Sequence, residues 1–144
     1  MAFTDQTTGG RVLRDGIMPV KITLTDTCHP GDLIGFDGID GGSDTWVRAD
    51  ANGKIPASLN AGQRCETSGD EIVCYKMAYV GFPSTTSAVT GDYVYLADTA
   101  GQYASTPTTW VSQCVGEMVS TTEMFVHPHC SEHPRLFTSP YRFF

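Results

Sequence analysis

The longest apolar run of the chain, Ile72–Val80 (IVCYKMAYV), most constrains what it can fold into. The run is too short, and too rich in Val, Ile and Tyr, to favour a helix. It predicts a strand at the centre of a sheet. Elsewhere the period of two is explicit: Val20, Ile22 and Leu24 alternate with Lys21, Thr23 and Thr25, as in a half-buried strand. Asp32–Phe36 and Trp46–Ala49 read as further strands, and Ile55–Leu59 as extended chain. Between Gly91 and His127 the pattern is a strand (Asp92–Ala97), a tight turn (Asp98–Gly101), a short return strand, a Pro-containing loop and two more strands ending at Phe125–Val126. His29-Pro30-Gly31, Asp50–Gly53 and Gly62–Gly69 are turns, and Asp37–Asp44 (DGIDGGSD) is a turn or exposed loop. No segment carries a capped i, i+3, i+4, i+7 stripe.

The expected fold is therefore mainly β: a single small β-barrel or sandwich of about eight short strands with extended N- and C-terminal arms. Residues 1–18 form the N-terminal arm, with brief pairing around Arg11–Leu13; residues 19–127 form the β-barrel domain; residues 128–144 form a C-terminal docking tail. In that tail three prolines break regular structure, and Leu136, Phe137, Tyr141, Phe143 and Phe144 are too many large apolar groups for a solvated segment. Burying one such side chain is worth roughly 1.5–3 kcal/mol, so the tail should dock on its own domain or on a neighbour.

Charge narrows the partners. The net charge is −7, and the body, residues 19–127, holds 13 acids against 5 bases. Such a surface repels phosphate backbones, so nucleic acid is not an expected direct partner. No run of about 18 apolar residues is present to form a membrane-spanning helix, and residues 1–20 lack the basic start and apolar segment of a signal peptide. Synthesis in the cytoplasm of the cell that makes the chain, with reduced thiols, is expected. Five cysteines (Cys28, Cys65, Cys74, Cys114, Cys130) exclude a complete intrachain disulfide framework.

Candidate chemistry is sparse. His127, His129, Cys130 and His133 have zinc-ligating side chains at compact spacing, but His127 and His129 flank a proline and no C-x-x-C supports them, so they read first as the start of the docking tail. Asp37, Asp40 and Asp44 lie in a Gly-rich stretch that can suggest Ca²⁺, yet the spacing is not that of an EF-hand. Cys28-His29 is not a dyad by adjacency, because neighbouring residues on a strand point oppositely. Cys74 and Cys114 read as small core residues, and a Cys65–Cys74 disulfide is an option in an oxidising medium. Tyr93 and Tyr95 share a strand face and are either sugar-binding or core and interface residues. There is no G-x-S-x-G, P-loop or G-x-G-x-x-G after a strand, and no acid, base and nucleophile set. No catalytic residue, cofactor or resident metal is expected, and an enzyme is the weakest class.

Pro30-Gly31-Asp32-Leu33-Ile34-Gly35, Trp46-Val47-Arg48-Ala49-Asp50, Gly69-Asp70-Glu71-Ile72, Gly91-Asp92-Tyr93-Val94-Tyr95-Leu96, Ala100-Gly101-Gln102-Tyr103 and Val115-Gly116-Glu117 occur in an order that resembles tailed-phage capsid decoration proteins, also called structural cement proteins. The resemblance spans roughly Val20–Val126, and the aromatic tail after Pro128 departs from it. It implies a small β-barrel that assembles, commonly as a homotrimer, on the outside of an expanded phage head and clamps neighbouring major capsid subunits. The arms would then extend its reach, with Phe137, Tyr141, Phe143 and Phe144 as anchors and Arg135 and Arg142 pairing to acidic capsid groups. The alternative is a carbohydrate- or receptor-binding β module on a virion surface, using aromatics such as Trp46 or Tyr103. A third class is a small metalloenzyme built on His127–His133.

Overall fold

The run Ile72–Val80 is the hub of the structure. The computed structural model describes residues 11–82, 88–107 and 111–128, and within them the chain is mainly β with no α-helix. Nine strands form one curled antiparallel sheet: β1 (Val12–Thr23), β2 (Leu33–Asp40), β3 (Ser43–Arg48), β4 (Leu59–Ala61), β5 (Glu71–Gly81), β6 (Tyr93–Leu96), β7 (Tyr103–Ala104), β8 (Cys114–Met118) and β9 (Glu123–Val126). Eight follow the order β3-β2-β4-β5-β9-β8-β6-β7, curled into a half-barrel, and β1 pairs with β5 off that path.

Strand β5 has three partners because its two edges are used differently. Along one edge β1 runs its whole length, from Val12 opposite Gly81 to Thr23 opposite Glu71. The other edge is shared, with β4 opposite Cys74–Tyr75 and β9 opposite Ala78–Gly81. Side chains alternate across the pleat, so Ile72, Cys74, Ala78 and Val80 point inward and are buried. They serve two cores. Ile72 and Cys74 pack with Ile22, Leu24, Cys28, Ile34, Leu59, Ala61 and Cys65. Val80 packs with Leu33, Val94, Leu96, Tyr103, Val115, Met118, Met124 and Val126. A parallel bridge from Leu24 to Trp46 ties the end of β1 to β3 and draws the sheet around the first core.

Two elements differ from the sequence expectation. The first strand begins at Val12 rather than Val20, inside the stretch read as an arm. A bulge between Arg14 and Ile17 hides its alternation, with Asp15 and Met18 at positive φ (51° and 62°). Gly16 is required there: a Cβ would lie 2.5 Å from the Tyr75 ring. The Asp37–Asp44 stretch is not a loop but the β2–β3 hairpin, closed by Gly41 and Gly42 at φ 62° and 85°. Two successive positive φ values are those of a type I′ turn, whose twist matches the flanking strands.

Candidate functional site

The sheet presents a continuous row of side chains on its outer face. Register places Arg14 opposite Tyr79, Tyr79 opposite Phe125, Phe125 opposite Glu117 and Glu117 opposite Tyr93. Residues opposite one another in antiparallel pairs share a face, so the row crosses β1, β5, β9, β8 and β6. At about 4.8 Å per strand spacing it is roughly 19 Å long. The Tyr79 and Phe125 rings are 5.0 Å apart, and Phe125 and His127 are again 5.0 Å apart. The Arg14 guanidinium lies 4.6 Å from the Tyr79 ring centroid and grips Glu123 at 3.0 and 2.7 Å. That grip holds the Glu123 carboxyl below its usual range. Tyr93 at the far end is 61% exposed, and Val12, Ile17 and Met18 on β1 leave further apolar surface open. The surface mixes aromatic rings with charged side chains, Arg14 at one end and Glu117 between Phe125 and Tyr93.

Two buried polar clamps lie at the first and last described residues, Arg11 and Pro128. At the N-terminal side, Arg11 donates to the Gly31 carbonyl at 3.1 Å, the Gly101 carbonyl at 3.4 Å and Asp32 Oδ1 at 2.6 Å. Both ion-pair side chains are fully buried. The His29 N–H donates to the other Asp32 oxygen, and Tyr103, whose ring lies beneath the guanidinium, donates its hydroxyl to Gly31 O. Burial pushes the Asp32 carboxyl up, against the opposing pull of Arg11 and the His29 N–H. At the C-terminal side, the buried Gln113 amide accepts from Ala57 N at 2.7 Å and donates to Ala57 O at 2.8 Å and Pro128 O at 3.1 Å. A single side chain thus fastens Pro128 to the segment before β4.

Several sequence candidates take definite places. His127 is half-buried against Phe125. His129, Cys130 and His133 lie outside the described residues, as do Arg135, Phe137, Tyr141, Arg142, Phe143 and Phe144. Asp37 and Asp44 are exposed on the β2–β3 hairpin, and Asp40 shares that hairpin. Among the described residues no group of three His, Cys, Asp or Glu is placed to hold a metal. The Cys28 thiol is buried, donates to Gln63 O at 3.4 Å, and is pushed by burial up to about 12, so it is not a nucleophile at neutral pH. Trp46 packs edge-on to Phe36 and against the first core, while Tyr103 is fully buried and offers no face to a sugar. The outer row itself was not visible in the sequence, because it depends on the register of strands far apart along the chain. Comparison with family models, with curated proteins and with solved structures gave no match.

Proposed function

We propose that this protein is a virion structural protein, not an enzyme, that binds the outer surface of an expanded phage capsid and clamps neighbouring major capsid subunits. The observation that carries the reading is the outer-face row Arg14–Tyr79–Phe125–Glu117–Tyr93, in which aromatic rings alternate with charges across five strands. The ordered motifs that resemble structural cement proteins support it, since Gly31–Gly35 leads into β2 and Gly91–Leu96 into β6. The first and last described residues, Arg11 and Pro128, are each fixed to the domain by buried hydrogen bonds.

The physical logic is linkage. A protein that binds only the expanded lattice stabilises that lattice by its binding free energy. Many copies, and several contacts per copy, multiply a weak contact into a strong one. In this reading the outer row and the tail residues Arg135, Phe137, Tyr141, Arg142, Phe143 and Phe144 contact capsid or neighbouring subunits, and a homotrimer is the assembling unit. Neither nucleic acid nor membrane is a partner.

The test is co-sedimentation of the purified chain with expanded, undecorated heads. Saturable binding at a fixed ratio to capsid protein, weak on unexpanded shells, supports the proposal; a Tyr93→Ser, Val12→Ser chain should bind less while keeping its Tm. Folded protein that binds no heads but binds glycans saturably would overturn it in favour of a carbohydrate-binding module.

A further inference from the structure

Two cysteines from separate loops face each other across a bridge of their own. Cys28 follows β1 and Cys65 follows β4, and each donates its backbone N–H to the other's carbonyl at 3.0 Å. A pair that exchanges both bonds has its Cα atoms about 5.5 Å apart, inside the usual disulfide range of about 4.4–6.8 Å. Both side chains lie on the same side, in the same core, at 2% and 3% exposure. All four cysteines in the described residues are free. The thiols now donate to different carbonyls, Cys28 to Gln63 and Cys65 to Asp26 and Thr67, so joining them needs side-chain rotation but no change of strand pairing. Cys74 borders the same core, but its direct neighbours are Ala61 on β4 and Val20 on β1, so no cysteine stands opposite it.

We propose that Cys28 and Cys65 are a latent disulfide pair, reduced when the chain is made and oxidised later into a covalent staple between the β1–β2 and β4–β5 connections. The oxidant is a small-molecule disulfide. One protein thiolate attacks it and releases one half as a thiol, leaving a mixed disulfide. The second protein thiolate then displaces the other half. The protein loses two electrons and two protons, and the oxidant leaves as two thiols. Both thiols are buried and Cys28 is held in its protonated form, so the staple closes over hours in the folded state and faster when the loops open.

The experiment treats the reduced full chain with oxidised glutathione at mildly alkaline pH, with and without a little urea. Intact mass and peptide mapping under non-reducing conditions follow the product. The expected product has lost two hydrogen atoms, carries a Cys28–Cys65 cross-link, and melts on the order of 10 °C higher than the reduced chain, reversibly on reduction. Cys74→Ala and Cys114→Ala should keep the cross-link, whereas Cys28→Ser or Cys65→Ser should abolish it. The wild-type peptide map decides the matter even if the serine variants fail to fold. A Cys65–Cys74 or Cys28–Cys74 cross-link, or glutathione adducts with no internal bond at Cys28 and Cys65, overturns the proposal.

Discussion

Replacing Arg11 with Ala tests whether the N-terminal clamp holds the fold together. The substitution removes donors to Asp32, Gly31 and Gly101 and leaves Asp32 one hydrogen bond, from the His29 N–H, with the Arg48 charge nearby. Neither partner of the pair is exposed, so water cannot take the place of the guanidinium. Removing one partner of a buried pair costs about 3–5 kcal/mol, a large part of the 5–15 kcal/mol that holds a typical domain together. In urea, with m near 2 kcal/mol/M, the midpoint should fall by roughly 2 M.

The sign of the pH dependence is fixed by the same geometry. With Arg11 gone, the folded Asp32 pKa rises further above its unfolded value, so the carboxyl favours folding when protonated and opposes it when ionised. The deficit relative to wild type should therefore be largest at neutral pH and shrink as pH falls towards the unfolded carboxylate value of about 4. Arg11→Met combined with Asp32→Leu should recover most of the loss, because no charge is left buried. Urea titrations across pH of wild type, Arg11→Ala, Arg11→Met, Asp32→Leu and the double variant measure all of this. A loss below about 1 kcal/mol, or a double variant whose loss is the sum of the single ones, would refute the argument that the pair is buried and coupled.

Three further outcomes are expected. Gln113→Ala strips Ala57 and Pro128 of buried hydrogen bonds and should cost roughly 2–4 kcal/mol by urea unfolding, with earlier proteolysis near Pro128. Gly116→Ala places a Cβ 2.2 Å from the Phe125 carbonyl oxygen on β9, a backbone clash that should exceed the usual 1–3 kcal/mol of overpacking and is read as lost soluble yield or a depressed Tm. Asp26 is pushed up by burial but more strongly pulled down by the N–H groups of Arg48 and Thr27 and by the Arg48 side chain. The stability it contributes is present above its unfolded pKa and lost as pH falls through the lowered folded value, so Asp26→Asn should show a smaller drop in Tm between about pH 6 and pH 3 than wild type.

What was legible in the sequence follows from what is local. Ile72–Val80 announces a central strand because composition and length alone rule out a helix, and β5 occupies that place. The order of strands and turns from Gly91 to Val126 is legible for the same reason. The N-terminal half of β1 is obscured because Asp15, Gly16 and Pro19 interrupt the alternation at a bulge. The β2–β3 hairpin is obscured because its Asp and Gly residues resemble a loop, although Gly41-Gly42 is the turn that lets the strands pair. The aromatic row and both clamps are the least legible, since Arg14 meets Tyr79, Arg11 meets Asp32 and Gln113 meets Ala57 only after the chain has folded.

The pairing of β1 with β5 also bears on how the chain is made. Every register contact of β1 lies in residues that leave the ribosome after it, from Glu71 to Gly81. At about 5–20 residues per second, β1 waits some seconds for its template. During that wait it is a strand with two open edges, the kind of segment that nucleates aggregation. Its own residues answer the hazard: Arg14, Asp15 and Lys21 charge it, Pro19 removes a donor, and the bulge at Asp15-Gly16 spoils a flat edge. The irregularities that hide this strand from a pattern reader also hide it from other unfinished chains.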